Sequence, residues 1–431
     1  MTFDDVLPAT RSILDEHRNT LKSLEWLLIN RDLYGRVRLI APETVQSQES
    51  VHESLEALAT ELSTRLGPHA YPAGATILYE ASRELACQNA PAIPIEDLDN
   101  VSLVDRLATE GNWAQISKET PGPPRIVFFS IKGGVGRSTA LAATAWWLAQ
   151  AGKRVLVLDL DLESPGLSSS LLPPERQPKH GITDWLVEDL VDNADMVFES
   201  LIATSGLSHD GEIYVVPAHG VDPGEYVAKI GRVWMPKIRP DGTRESWSGR
   251  LQRLLDALVE RLRPDIVLID SRAGIDEVAS ACVTELGGNL VLLFALEGNQ
   301  TWTGYRILFE HWRRAGVAES VRERVQRVSA LTPDTEDRLN YLATLRENGY
   351  ELFASSLYDE IEPGEVVGNR WHFDTADDTA PHAPWEVRWH KSLAGLKSLH
   401  GRLAGIDANV VRLIFGQMIE GIVQTAEDKN V

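Results

Sequence analysis

Cysteine is nearly absent from this chain of 431 residues, which contains only Cys87 and Cys282. Two cysteines cannot build a disulfide framework or a four-cysteine zinc site within one chain, and such low usage is typical of a reducing compartment. The first residues, MTFDDVLPATRS, lack the basic segment and apolar run of a secretory signal. No stretch approaches about 18 uninterrupted apolar residues, so we expect no membrane span. Together these features predict a cytoplasmic protein.

Positive charge is also scarce. The chain has 42 Lys and Arg against 63 Asp and Glu, and its net charge is −21. Nucleic-acid binding depends largely on neutralising phosphates with basic side chains. The balance therefore disfavours a nucleic-acid partner, although a local basic patch would still be compatible with one.

The first 118 residues predict a small α/β domain. Apolar periodicity indicates helices at residues 6–30, 50–66 and 101–113, and short apolar runs indicate strands at 36–42 and 75–81. No catalytic constellation stands out in this part of the chain. The Pro- and Gly-rich residues 119–124 then predict an extended linker, because proline cannot continue a helix.

Residues 125–431 alternate between apolar strand patterns and helical patterns. Strands are predicted at 125–131, 154–161, 212–218, 265–271, 289–296 and 325–332. Buried strands separated by helices indicate a mostly parallel, doubly wound sheet with helices on both faces. Ligands of such sheets bind beyond the carboxyl ends of the strands.

The stretch SIKGGVGRST, residues 130–139, follows the first of these strands and opens a helix. Glycines let the main chain approach phosphate oxygens, and the amides of such a loop form a nest for anions. The candidate phosphate-binding residues are Lys132, Gly133, Gly134, Val135, Gly136, Arg137, Ser138 and Thr139. Ser138 is in addition a candidate ligand of Mg²⁺, since a hydroxyl there binds the metal in phosphate loops.

KGGVG followed by a cation and a hydroxyl resembles the deviant phosphate loop of the ParA/MinD family, P-loop ATPases that dimerise around nucleotide. The resemblance covers roughly residues 125–425. It implies ATP and Mg²⁺ as cofactors and a homodimer in which Lys132 reaches the phosphates bound to the partner subunit. Arg137 departs from the family, which has lysine at this place. Arginine keeps the charge but presents a flat fork of donors, so we expect nucleotide binding with slow hydrolysis.

Carboxylates follow two of the predicted strands. Asp159 and Asp161 end RVLVLDLD, and Asp270 ends the apolar run DIVLID. Asp270 is the candidate Walker B residue that holds Mg²⁺ through water. Of the two carboxylates after the other strand, Asp159 is expected closer to the water shell of the metal than Asp161. By the resemblance, Asp161 is the carboxylate that positions the attacking water. Arg272, where relatives have proline, is predicted to form a salt bridge, and phosphate sensing is the alternative.

Three other sites are disfavoured. The cysteine pair of nitrogenase-type reductases is missing. Residues 408–423 carry too little positive charge for a membrane-binding helix, which favours packing. Three histidines and three tryptophans in residues 371–390 favour packing or a partner surface over a metal site.

These observations predict an ATPase that switches a nucleotide-dependent homodimer and regulates an unidentified protein partner. Two alternatives remain open. Arg137 is compatible with a nucleotide sensor that does not hydrolyse its ligand. A partition-type ATPase that positions DNA is the other, and the acidic composition argues against it.

Overall fold

The computed structural model describes residues 1–88, 90–107, 111–207, 209–361, 368, 370–393 and 399–428. It divides into two compact units, Met1–Thr109 and Glu110–Val431. Each unit is an α/β structure built on its own large sheet. The mixed α/β fold with a small N-terminal sheet agrees with the prediction.

The first unit contains a five-stranded sheet in the order β3-β2-β1-β5-β4. Its strands are β1 Leu27–Arg31, β2 Val37–Pro42, β3 Ile77–Glu80, β4 Ala92–Ile95 and β5 Leu98–Asp105. Its helices are α1 Phe3–Glu16, α2 Arg18–Leu21, α3 Glu49–Leu66 and α4 Arg83–Cys87, with 3₁₀ turns at Glu43–Ser47 and Gly67–His69. Apolar side chains of α1 and α3 cover one face of the sheet.

The helix predicted at residues 101–113 is wrong. Residues 98–105 form β5, which pairs in parallel with β1 and antiparallel with β4. Val101 and Val104 are fully buried. β-Branched side chains fit the surface of a sheet, and the pairing on both sides of this strand outweighs its local helical pattern.

The second unit contains an eight-stranded sheet in the order β15-β14-β13-β6-β12-β7-β9-β8. All neighbouring strands are parallel except β8 and β9. Its strands are β6 Arg125–Ser130, β7 Arg154–Asp159, β8 Ala203–Thr204, β9 Glu212–Val216, β12 Ile266–Ala273, β13 Leu290–Ala295, β14 Val325–Thr332 and β15 Trp385–Arg388. A separate hairpin, β10 Lys237–Ile238 and β11 Arg244–Glu245, turns at the Asp241-Gly242 pair.

Helices cover both faces of this sheet, as a doubly wound fold requires. One face packs against α5 Arg137–Gln150, α6 Leu167–Leu171, α15 Leu399–Ala404 and α16 Ala408–Asp428. The other packs mainly against α7 Ile182–Asp189, α10 Trp247–Leu262, α12 Asn299–Arg314 and α14 Arg338–Ser356. Shorter elements are α8 Asp195–Phe198, α9 Tyr226–Val233, α11 Glu277–Ser280, α13 Ala318–Arg322, a π-helix at Ala281–Glu285 and 3₁₀ turns at Pro174–Arg176, Glu199–Leu201 and Lys391–Leu393.

The segment before β6 is packed rather than free. The rings of Trp113 lie 5.9 Å from Phe129 and 6.5 Å from Trp312, measured between centroids. The amide of Thr120 donates to the carbonyl of Gly287 at 3.0 Å. The structure therefore places the boundary between the units earlier than the predicted residue 118, and residues 119–124 belong to the second unit.

Two further predictions concern packing. α16 buries its apolar face, including Met418 and Ile422, as expected for a packing helix. His382 is fully buried in an aromatic cluster, where the Tyr358 hydroxyl lies 2.5 Å from its Nδ1. Part of the neighbouring loop, residues 362–367 and 369, lies outside the described residues. Across the part of the chain that the structure covers, no helix combines the length and apolar character that a bilayer span requires.

Candidate functional site

The glycine-rich loop joins the carboxyl end of β6 to the amino end of α5. Gly134 and Gly136 have φ angles of +74° and +80°, a region that side chains with a Cβ rarely adopt. Gly136 is also close to a neighbour, because an added Cβ would lie 3.1 Å from the Leu331 side chain. The loop therefore requires glycine at both positions, and its main-chain amides stay accessible to an anion.

An open depression of about 500 Å³ lies against the loop. Its lining consists of residues from the loop, from the segment after β7 and from the end of β12: Ser130, Gly133, Gly134, Val135, Gly136, Arg137, Ser138, Thr139, Asp161, Ser164, Arg272 and Ala273. The predicted phosphate-binding residues, apart from Lys132, thus line one cavity. Lys132 is exposed at the edge of the loop.

Arg137, the first residue of α5, is 7% exposed and bridges carboxylates. Its Nε donates to Asp270 Oδ1 at 2.7 Å, and its Nη1 donates to the Ser130 hydroxyl at 3.0 Å. Its Nη2 lies 3.5 Å from Asp161 Oδ2. Burial alone lowers the pKa of this guanidinium, but attraction to Asp270 and Asp161 outweighs burial and raises the pKa. Arg137 is therefore a fixed cation that joins the ends of three adjacent strands.

Asp270 and Ser138 form the part of the site that suits a metal ion. The Ser138 hydroxyl donates to Asp270 Oδ2 at 2.5 Å, and Asp270 is only 1% exposed. A hydroxyl and a carboxylate that converge at this distance are hard oxygen ligands of the kind Mg²⁺ prefers. These two residues fit the predicted ion. In the described ranges, no group of three His, Cys, Asp or Glu side chains forms an all-protein metal site.

Asp159 and Asp161 carry negative charge into the same region. Asp159 is the register partner of Asp270 on the adjacent strand, and it is fully buried. Burial, reinforced by the charge of Asp270, raises the pKa of Asp159 to about 7. Burial also raises the pKa of Asp161, while Arg137 opposes this shift. The two residues are close together because Asp159 ends β7 and Asp161 follows two residues later.

The end of β12 contains Arg272, which is predicted to form a salt bridge. This prediction is confirmed, because Arg272 lies 2.7 Å from Glu163 and 3.3 Å from Asp276. Gly274 has a φ of +101°, and its amide donates to the carbonyl of Ser130 at 2.9 Å. The segments that follow β7 and β12 are thus tied to each other and to the start of the loop.

Sequence reasoning missed two side chains of the site. Ser130 accepts a hydrogen bond from Arg137, and Leu331, which has a φ of +48°, packs against Gly136. The signal for Ser130 was its place as the last residue of β6, where a polar side chain follows a buried run. Nothing in the sequence marks Leu331, which comes from a distant strand. Gln300 and Thr301 lie in the first turn of α12, outside the lining of the depression.

Comparisons with known proteins agree on the kind of domain. The CobQ/CobB/MinD/ParA nucleotide binding domain matches residues 126–430. The putative arsenical pump-driving ATPase 1 of Aquifex aeolicus is 47% identical over 53 residues, which is 12% of this chain and only 13% of that relative.

Among solved structures, the cell division ATPase MinD of Pyrococcus furiosus is 25% identical over 45% of this chain and 68% of that one, with a TM-score of 0.32. The septum site-determining protein MinD of Pyrococcus horikoshii, complexed with Mg-ADP, is 18% identical over 71% and 98% of the two chains, with a TM-score of 0.42. These likenesses are too loose to support an argument about individual residues. The family match, in contrast, covers more than two thirds of the sequence, and we conclude that the chain belongs to the CobQ/CobB/MinD/ParA nucleotide-binding domain family.

Proposed function

We propose that this protein is a slow ATPase that binds ATP with Mg²⁺ and uses the nucleotide to switch a homodimer. One observation carries the proposal: Arg137, Ser138, Asp161 and Asp270 converge at the mouth of a glycine loop with accessible amides. Carboxylates, a hydroxyl and a cation beside an anion nest are the parts that phosphoryl transfer needs, because its catalysis is mainly positioning and electrostatic stabilisation.

Each residue has a separate task. The loop amides and the first turn of α5 hold the phosphate oxygens. Ser138 and Asp270 hold Mg²⁺, and Asp159 is buried beside Asp270 on the adjacent strand. When bound, the ion neutralises negative charge on the phosphates. Asp161 orients the attacking water, and its raised pKa makes it a better proton acceptor than an ordinary carboxylate. Lys132 is exposed and extends from the loop, so it is available to the phosphates of a second copy.

Arg137 explains why we propose slow hydrolysis. Its guanidinium is engaged by Asp270, Ser130 and Asp161, so it must leave at least one of them to stabilise charge on a transferred phosphoryl group. A slow reaction acts as a timer for the dimer. Because the net charge of the chain is −21, we propose that the dimer acts on a protein partner and not on DNA.

The chemical step is tested by single-turnover hydrolysis of ATP. Asp161→Asn keeps the shape of the side chain and removes its negative charge, and we expect a loss of roughly 10²-fold or more in rate, the size seen when one key polar group is removed. Binding of a fluorescent ATP analogue measures affinity separately. Asp195→Asn, on the exposed side of α8, is the control. Equal rates in all three proteins would contradict the proposed role of Asp161.

The dimer is tested by light scattering with ADP and with a non-hydrolysable ATP analogue. Wild type should double in mass only with the analogue, and Lys132→Ala should stay monomeric while still binding nucleotide. Lys153→Ala removes another exposed lysine, which lies just before β7 and so at the opposite end of that strand from Asp159, and it should behave as wild type. Dimerisation of Lys132→Ala would show that this lysine does not act across the interface.

A nucleotide sensor without hydrolysis is the second candidate, and the same arginine favours it. If Arg137 stays on Asp270 and Asp161 when nucleotide binds, its guanidinium cannot stabilise the charge that develops on the phosphoryl group. The expected result for a sensor is tight retention of ATP with background hydrolysis in both wild type and Asp161→Asn. A rate difference between these two proteins excludes it.

A further inference from the structure

The arginine at the start of α5 does more than replace a lysine. Asp270 has two carboxylate oxygens and both are engaged, Oδ1 by Arg137 and Oδ2 by the Ser138 hydroxyl. The same guanidinium reaches Asp161 with Nη2. A lysine ammonium is a single point of charge and cannot span two carboxylates with directed donors as a planar guanidinium does.

Burial makes this bridge important. Asp270 is 1% exposed and Asp161 is 17% exposed, so both charges are costly without a partner. Arg137 itself is 7% exposed and its donors are distributed over three groups. Within the described residues, it is the one basic side chain within salt-bridge distance of either carboxylate. The same two carboxylates would neutralise a divalent cation bound at this site.

We propose that Arg137 is a positioning residue that acts as a charge latch on Asp270 and Asp161. Without nucleotide, the guanidinium neutralises Asp270 in place of a divalent cation. Ser138 and Asp270 therefore do not bind Mg²⁺ until nucleotide is present. A polyphosphate in the loop attracts the guanidinium and frees Asp270 for the metal and Asp161 for water. The inference rests on the proposed function, since it concerns the regulation of the same site, and it makes loading with metal depend on nucleotide.

The first test uses Mg²⁺ without nucleotide, so it does not depend on activity. Arg137→Met leaves two partly or fully buried carboxylates without a cation. At pH 8, 5 mM MgCl₂ should raise the melting temperature of this variant by about 3 °C or more, while wild type changes by less than about 1 °C. Arg125→Met is the matched control. Arg125 is also a buried arginine, 3% exposed and 2.7 Å from Asp256, but that carboxylate is 57% exposed and needs no replacement cation.

The second test covers the case in which Arg137→Met does not fold. Arg137→Lys keeps the charge and loses the bridge, so less Mg²⁺ should be needed for half-maximal retention of a fluorescent ATP analogue. We expect a decrease of about threefold or more relative to wild type, the effect of relieving competition for Asp270. Ser130→Ala removes one anchor of the guanidinium and should shift the same value in the same direction, by less.

Two results would overturn the latch: equal stabilisation of wild type and Arg137→Met by Mg²⁺ alone, or an Mg²⁺ requirement of Arg137→Lys that equals or exceeds that of wild type. These outcomes differ from failure of the proposed function. If wild type retains no nucleotide at any Mg²⁺ concentration, the nucleotide site is wrong, while the melting comparison still decides whether Arg137 replaces a cation.

Discussion

Two buried clusters in the second unit combine arginine and aspartate in opposite proportions. At the end of α7, one carboxylate, Asp189, meets three cations: Arg250 at 2.8 Å, Arg253 at 2.9 Å and Lys237 at 3.0 Å. Asp189 is 2% exposed and Arg250 is fully buried. Burial would raise the pKa of Asp189, but hydrogen bonds from Arg250 and Arg253 outweigh it and lower the pKa.

At the ends of β7 and β12 the proportion is reversed, because one arginine, Arg137, pairs with Asp161 and Asp270. Burial raises the pKa of the neighbouring Asp159, and the charge of Asp270 adds to this shift. Burial also raises the pKa of Asp161, although Arg137 opposes the shift.

In the first cluster Asp189 has three basic partners, and Arg253 and Lys237 also pair with Glu245 and Asp192, so the charges are balanced within the fold. The second cluster has more carboxylates than cations, and we infer that the surplus is available to an external cation.

The largest effect on stability is expected from Asp189→Asn. The change leaves the fully buried Arg250 without a charged partner, so we expect the second unit to lose about 3–5 kcal/mol of unfolding free energy. Guanidinium denaturation followed by tryptophan fluorescence measures this, since eleven of the 12 tryptophans, all but Trp26, lie in that unit. A loss below about 1 kcal/mol would mean that this cluster is not structural.

An aspartate-to-asparagine substitution in the other cluster should change the unfolding free energy in the opposite direction. Asp159 is fully buried, and it accepts hydrogen bonds from the main-chain amides of Asp161 and Ser168, at 3.3 Å and 3.4 Å. Asp159→Asn removes a repelled charge, and we expect the nucleotide-free protein to gain about 1–2 kcal/mol, as often happens when a functional site is neutralised. The gain in stability on adding ATP and Mg²⁺ should shrink. Destabilisation by Asp159→Asn would remove the contrast.

A smaller effect is expected from pH. Because the folded-state pKa of Asp189 lies below its unfolded value, its contribution is complete above about pH 4 and is lost as pH falls through the folded pKa. The stability difference between wild type and Asp189→Asn should therefore be constant near neutrality and narrow in acid. Denaturation curves collected from pH 7 down to pH 3 measure it, and a difference that widens in acid would contradict the lowered pKa.

The smallest effect is expected at the rim of the structural cluster. Asp192 lies 2.7 Å from Lys237 but is 77% exposed. Solvent screens such a pair, so Asp192→Asn should change the unfolding free energy by less than about 0.5 kcal/mol. The same denaturation assay decides this. A loss comparable to that of Asp189→Asn would show that distance, and not burial, sets the energy of these ion pairs.

Much of the second unit was predictable because its signals are local. The strand patterns before Lys132, Asp159 and Asp270 are short apolar runs, and parallel strands bring their carboxyl ends to one edge. The family assignment followed from KGGVG and its neighbours. The first unit was harder, since the residues around Val101 have apolar spacing compatible with a helix, and only pairing with β1 and β4 makes them a strand.

Residue types and their spacing were enough to identify the glycine loop, the order of the motifs and the acidic balance. The direction of the Arg137 side chain and the packing of Trp113 beside Phe129 are visible only in the folded chain. Both depend on contacts between residues far apart in the chain. A guanidinium next to a phosphate loop could bind phosphate or carboxylate, and in this structure the buried Arg137 pairs with the carboxylate of Asp270.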